Sequence, residues 1–299
     1  MIGVKELNRS IKDDGLETRL DIGGVRIPKD LEQRHFFIIG MQGVGKTTCM
    51  SQVLDSLKNC NDDNCRGIVY CYKPGDYFAK FYNPKRGDIL FNPLDERSIG
   101  WNLFSEIKTE MDIDTISSSL IPDAYQQDPF WHQAARGVFS GILHYCYANN
   151  LKTNSDIWMN VTAEIQKIAE KLKQTKGGEA GYSYIQDAGK QAGSVISTML
   201  QYVHAFRYMT DKSDNFSISD WLERGRGWLF ITNYSSIKDT LRPMLSLFVD
   251  LVGTKLLSMR DDKKRRIFFL LDEFSSLQKI ATLHGQGQWA ALCGWETRI

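Results

Sequence analysis

FFIIGMQGVGKTT, residues 36–48, is the stretch from which the rest of the chain can be placed. An apolar strand (Phe36, Phe37, Ile38, Ile39) runs into Gly40-Met41-Gln42-Gly43-Val44-Gly45-Lys46-Thr47, a full match to the G-x-x-x-x-G-K-[ST] phosphate loop, and Thr48 continues into a helix. Gly40, Gly43 and Gly45 let the backbone pass through positive φ and approach an anion, so that successive N–H groups point inward. The helix opening near Lys46 adds its positive N-terminal end. In such a loop the lysine, Lys46, reaches the β- and γ-phosphates of a nucleotide, and the Thr47 hydroxyl is a ligand of Mg²⁺. A glycine-rich turn without a ligand is the alternative, but four fixed residues at fixed spacing between a strand and a helix argue against it.

The other half of a nucleotide site lies far along the chain. Ile267 to Leu271 is a continuous apolar run, as in a strand buried on both faces of a parallel sheet, and Asp272 and Glu273 follow at its C-terminal end. That is the edge at which parallel sheets bind ligands. Asp272 is expected to hold Mg²⁺ through water, and Glu273 to orient the water that attacks the γ-phosphate. An Asp after a strand can also simply cap the next helix, so the acidic pair gains its meaning from the phosphate loop.

Composition bounds the rest. The chain has 299 residues, 42% hydrophobic and 24% charged, enough for about two domains with a substantial core. With 37 basic and 36 acidic residues, any contact with nucleic acid must be local. Cys49, Cys60, Cys65, Cys71, Cys146 and Cys293 are scattered, without metal-binding spacing, and read as reduced thiols. No apolar run approaches a membrane span, since Met244 to Leu257 is interrupted by Asp250 and Lys255, and the polar opening is not a signal peptide. A cytoplasmic chain is expected.

Residues 1–34 are polar and predict a short strand or arm. After the phosphate loop, Met50, Val53, Leu54 and Leu57 mark one helical face, and Ile68 to Tyr72 and Ile89 to Phe91 predict strands. Between them YKPGDYFAKFYNPKR (72–86) mixes Lys73, Lys80, Lys85 and Arg86 with aromatics, a composition that fits either a strand of DNA or an ordinary amphipathic helix. From about Trp101 to Met209 the pattern is helical. Asp128-Pro129 opens a helix through Tyr147, and further helices are expected over Ser155 to Gln174 and Ala188 to Tyr208, with a flexible Gly177 to Gly181 linker between. His132, His144 and His204 in this section read as structural. Trp228 to Asn233 restores the strand pattern, and Ser235 to Met259 predicts a long helix.

With both motifs and the helical section in place, the chain resembles the type IV secretion coupling proteins of bacterial conjugation, the TraD/TrwB group of DNA-pumping ATPases. The likeness runs from about Gly15 to Leu283 and rests on GMQGVGKT, FNPLDERSIGWNLF (91–104), DPFWHQAAR (128–136), FSISDWL with GWLFITNYSS, and RRIFFLLDEFSSLQKIATL (265–283). The resemblance implies an α/β fold: a RecA-like phosphate-loop core with a parallel sheet, over 1–104 and 211–299, interrupted by an all-α domain over 105–210. It also implies ATP and Mg²⁺ as cofactors, bound by residues 40–48 with Asp272 and Glu273. The implied partners are sequence-independent DNA, a relaxase, the secretion channel, and other copies in a six-membered ring at the inner membrane.

Two departures qualify the resemblance. No transmembrane helix precedes the nucleotide domain, and the tail HGQGQWAALCGWETRI lacks the family's arginine that reaches a neighbour's ATP and its following sensor strand. The C-terminal part of the core is therefore expected to be missing, the chain to be truncated at both ends, and turnover by the chain alone to be negligible, an arginine of this kind being worth about 10³–10⁵ in rate. Shifted by one nucleotide, the back-translated tail can encode an Arg in the register of Gln286 or Gly287, which fits a frameshift; a natural stop, a fusion boundary and a gene-model error are the alternatives. A non-enzymatic nucleotide- or DNA-binding remnant is the alternative. A kinase or GTPase is disfavoured by the long separation of the two motifs and the absence of a guanine motif.

Overall fold

The structure is a computed structural model. It describes all residues except 1, 42, 60–64, 73–75, 124–127, 210, 212–215, 235, 261, 263–264, 281, 283–289 and 297–299, and describes residues 33, 76–78 and 290–296 by their backbone alone. Gln42, Lys73, His284 and the Gln286 and Gly287 of the tail thus lie outside what is described.

The polar opening forms α1 (Val4–Asp13) and an antiparallel hairpin, β1 (Thr18–Ile22) and β2 (Val25–Pro28). Next come β3 (Phe36–Gly40), α2 (Lys46–Lys58), β4 (Cys65–Cys71), α3 (Asp76–Phe81) and β5 (Ile89–Phe91). The helical section contains α4 (Glu110–Leu120), α5 (Pro129–Ala148), α6 (Asn154–Val161), α7 (Ile165–Lys173), α8 (Glu179–Ile185) and α9 (Lys190–Val203). The chain then returns through α10 (Ile218–Arg224), β6 (Leu229–Thr232), α11 (Lys238–Ser258), β7 (Arg266–Leu271) and β8 (Ala290–Glu296).

The main sheet has six strands in the order β3-β8-β7-β4-β6-β5, every pairing parallel. Strand alternation divides its side chains between two layers. Ile68, Tyr70, Leu229, Ile231, Ile267, Phe269 and Leu271 face α11 and the helical section, in an apolar core continuous with that section. Val69, Cys71, Phe230, Phe268 and Leu270 face α2 and the hairpin's Leu20. Burial on both faces is why these strands read as unbroken apolar runs.

Three expectations need correction. The tail does contain a sheet strand: β8 lies between β3 and β7, with Phe37 level with Cys293 and Gly40 with Glu296. Its apolar run is short and includes Gly294, so it acquires strand character from two neighbouring ladders, not from its own pattern. The helix expected over Ser155 to Gln174 is two, because the backbone leaves the helical region at Glu164 (φ −56°, ψ +141°), the N-cap from which the second one starts. The Gly177 to Gly181 stretch is not a linker. α8 begins at Glu179, and a Cβ on Gly181 would lie 2.6 Å from the Gly137 carbonyl, so this glycine serves close packing of α8 on α5. At the start of α5, Asp128 caps as expected, its carboxylate accepting from the Phe130 amide at 3.0 Å. Among the described residues no helix is long and apolar enough to cross a membrane.

Candidate nucleotide-binding site

All six parallel strands present their C-terminal ends to one edge, and both motifs lie there. The phosphate loop leaves β3 at Gly40 and folds back tightly enough that a Cβ on Gly40 would meet Val44 Cγ2 at 2.6 Å. Gly43 and Gly45 have φ of +81° and +93°, conformations that side chains strain. Gly45 is the N-cap of α2 and no side chain caps that helix, so its first amides keep their donor capacity for an anion. Lys46 Nζ donates to the carbonyls of Gly40 (2.9 Å) and Met41 (3.0 Å), which hold the ammonium over its own loop. Thr47 follows in the first turn, half-buried, and Thr48 is exposed. An exposed anion cradle, a cation folded over it and a hydroxyl at the helix start are the donor set that a nucleotide's phosphates and a magnesium ion require.

Asp272 and Glu273 follow β7, which is next but one to β3. Two inter-strand spacings separate the backbone of the acidic pair from the loop strand by about 10 Å. Leu271 and Phe37 both pair with Cys293, which puts Asp272 level with Ile38, two residues short of Gly40. The Asp272 amide still bonds to the Tyr70 carbonyl at 3.1 Å, and the chain then turns out of the sheet at Glu273, whose φ and ψ are +50° and +51°. The Ser276 amide donates to the Glu273 carbonyl at 2.7 Å.

The groups that fix this turn escaped the sequence reading. The Tyr70 hydroxyl, buried inside β4, lies 2.9 Å from Ser276 Oγ and also bonds to the Asn233 side chain at the end of β6. Burial pushes the Tyr70 phenol up to about 12, opposed by those hydrogen bonds. Asn233 is itself buried, its amide donating to the Cys71 carbonyl at 3.3 Å. A tyrosine within the apolar run Ile68 to Tyr72 was the available signal.

The other candidates fall elsewhere. In the basic and aromatic segment, Phe81 and Tyr82 pack in the layer under α2, Lys80 lies over the Phe81 ring, and Lys58 Nζ donates to the Phe81 carbonyl at 2.8 Å. Those two rings are thus packed, which favours the amphipathic reading. His132 Nε2 bonds to the Tyr202 hydroxyl at 2.9 Å, and His204 sits edge-on to Trp158 and Tyr208.

Comparison with known proteins adds family to geometry. The profile of the type IV secretion-system coupling protein DNA-binding domain matches residues 19–291. The chain belongs to that family. The match runs past Leu283 into β8, further than the sequence resemblance was drawn. Coupling protein TraD of Escherichia coli (strain K12) is 28% identical over 288 residues, 93% of this chain but 39% of TraD, so the chain spans about two fifths of that curated relative. The plasmid coupling protein TrwB, solved with ADP and Mg²⁺ and with a non-hydrolysable ATP analogue, superposes with a TM-score of 0.86 at 26% identity. The superposition covers 99% of this coupling-protein chain and 70% and 71% of those two chains.

Proposed function

We propose that this chain is the nucleotide- and DNA-binding part of a conjugative coupling protein. Residues 40–48 bind Mg²⁺·ATP, Thr47 and Asp272 hold the metal, Glu273 orients the attacking water, and turnover is coupled to sequence-independent DNA movement toward a secretion channel. The observation that carries the reading is the placement of the phosphate loop and the acidic pair on one sheet edge, two strands apart, in a chain of this family. TrwB complexes with ADP and Mg²⁺ and with an ATP analogue support the choice of ligand. Relaxase delivery, a six-membered ring and a place on the cytoplasmic face of the inner membrane belong to the same proposal.

On the DNA side the helical section is not globally basic: residues 105–210 hold nine Lys and Arg against eleven Asp and Glu. Contact is therefore local, and the exposed lysines of α7, Lys167 and Lys173, are the basic group we favour, with Lys173 set over the Tyr182 ring. Calorimetric titration of ATP at fixed Mg²⁺ tests the nucleotide half. Lys46→Ala is expected to weaken binding by about a hundredfold, from the loss of a charge-assisted phosphate contact with the loop otherwise intact. Equal affinity in the two proteins overturns the site.

A further inference from the structure

Helix α11 carries a polar stripe through its apolar, buried middle. Arg242, Ser246, Asp250 and Gly253 are spaced by four, four and three residues and so share one face. That face holds the segment leaving the acidic turn. Arg242 Nη2 donates to the Leu277 carbonyl at 2.9 Å, and the Gln278 amide donates to Ser246 Oγ at 2.8 Å. Thr282 donates to Asp250 Oδ1 from both its amide (3.2 Å) and its hydroxyl (2.8 Å). Gly253 permits this approach, since a Cβ there would lie 2.5 Å from Thr282 Oγ1. Leu277 and Ile280 are buried beneath.

The second oxygen of Asp250 faces the helical section. Ser119 Oγ, near the end of α4, donates to Oδ2 at 2.6 Å. A buried carboxylate in mid-helix is destabilising unless its bonds are made, and here both oxygens are bonded, each to a different part of the fold. Asp250 thus joins the first helix of the helical section to Thr282, at the far end of the segment that Arg242 and Ser246 hold at Leu277 and Gln278.

We propose that Asp250 is a positioning residue that couples the helical section to the nucleotide site. Displacement of α4 is passed through Asp250 to Thr282, and along the face of α11 that also holds Gln278 and Leu277 to the turn that sets Glu273, and by reciprocity nucleotide binding acts back on α4. The ligands in this statement rest on the proposed function; the mechanical link does not. Hydrogen exchange on the unliganded chain tests the link. Ser119→Ala removes no bond to residues 277–282, yet is expected to speed exchange at the Gln278 and Thr282 amides by about tenfold, while α5 amides stay unchanged. Rates within twofold of wild type at both amides overturn the link.

A second measurement takes the affinity for a single-stranded oligonucleotide with and without Mg²⁺ and a non-hydrolysable ATP analogue. Wild type is expected to shift by about fivefold or more. Ser119→Ala, which removes the bond from α4 to Asp250 and leaves those from Thr282, is expected to bind each ligand alone within twofold of wild type and to lose the shift, which a purely structural role would not do. An unchanged shift in Ser119→Ala overturns the coupling. A wild-type chain that binds neither ligand overturns the proposed function and with it the ligand coupling, and the exchange result still decides the link.

Discussion

Glu273 holds its carboxylate at the sheet edge from a left-handed backbone conformation, φ +50° and ψ +51°. For a residue with a Cβ that conformation costs about 1–2 kcal/mol. Glycine avoids the cost but loses more chain entropy on folding, about 0.5–1 kcal/mol. Glu273→Ala and Glu273→Gly delete the same side chain, so the difference between them isolates the backbone. The glycine variant is expected to be the more stable by about 0.5–1 kcal/mol. In urea unfolding followed by tryptophan fluorescence, with a slope of about 3 kcal/mol/M, that is a midpoint difference of about 0.2–0.3 M. Neither variant is expected to lose more than about threefold in ATP affinity, because the phosphate contacts belong to residues 40–48. Equal midpoints, or an alanine variant above the glycine one, would refute the idea that this turn is strained. The strain has a structural support: Ser276 N bonds to the Glu273 carbonyl, and Ser276 Oγ is held by buried Tyr70.

Tyr70→Phe should lower stability by about 1 kcal/mol at neutral pH through loss of the Ser276 bond. Below pH 10 the phenol is neutral in both folded and unfolded chains and adds no pH dependence. Between pH 10 and about 12 the unfolded chain gives up the proton first, so wild-type stability falls by up to about 2–3 kcal/mol, and the phenylalanine variant should lack that part of the alkaline slope in pH-dependent denaturation. Phe37 and Ile39 are 62% and 65% exposed, on the β3 face opposite to that of Phe36 and Ile38, which pack in the layer with α2. Replacing both by threonine should reduce binding of a hydrophobic dye and slow aggregation, with less than about 0.5 kcal/mol change in unfolding free energy; a large destabilisation would show that the face is covered.

What could be read in the sequence was local. The phosphate loop is a run of consecutive residues whose glycines, lysine and threonine act mostly through their own backbone, so its conformation travels with the sequence. β7 and its acidic pair were legible because burial on both faces leaves an unbroken apolar run. β8 was not, since Ala290 to Glu296 becomes a strand only between β3 and β7, partners more than 250 and about 20 residues away. Tyr70 and Asn233 were missed for the same reason: the turn they anchor meets them only after the sheet has assembled. Asp250 shows how such a residue could be found. In the sequence it counted only as an interruption of an apolar helix, an argument against a membrane span. A carboxylate among Val249, Leu251 and Val252, on a helix too apolar to face water, must have partners or be neutralised. Its spacing from Ser246 and Gly253 puts all three on one face, along which a single neighbouring segment can lie and supply one of those partners. The partners are Ser119 and Thr282, so the position that first counted against a membrane helix ties the helical section to the segment after the acidic turn, beside the ion pair that Lys255 of the same helix makes with Glu106.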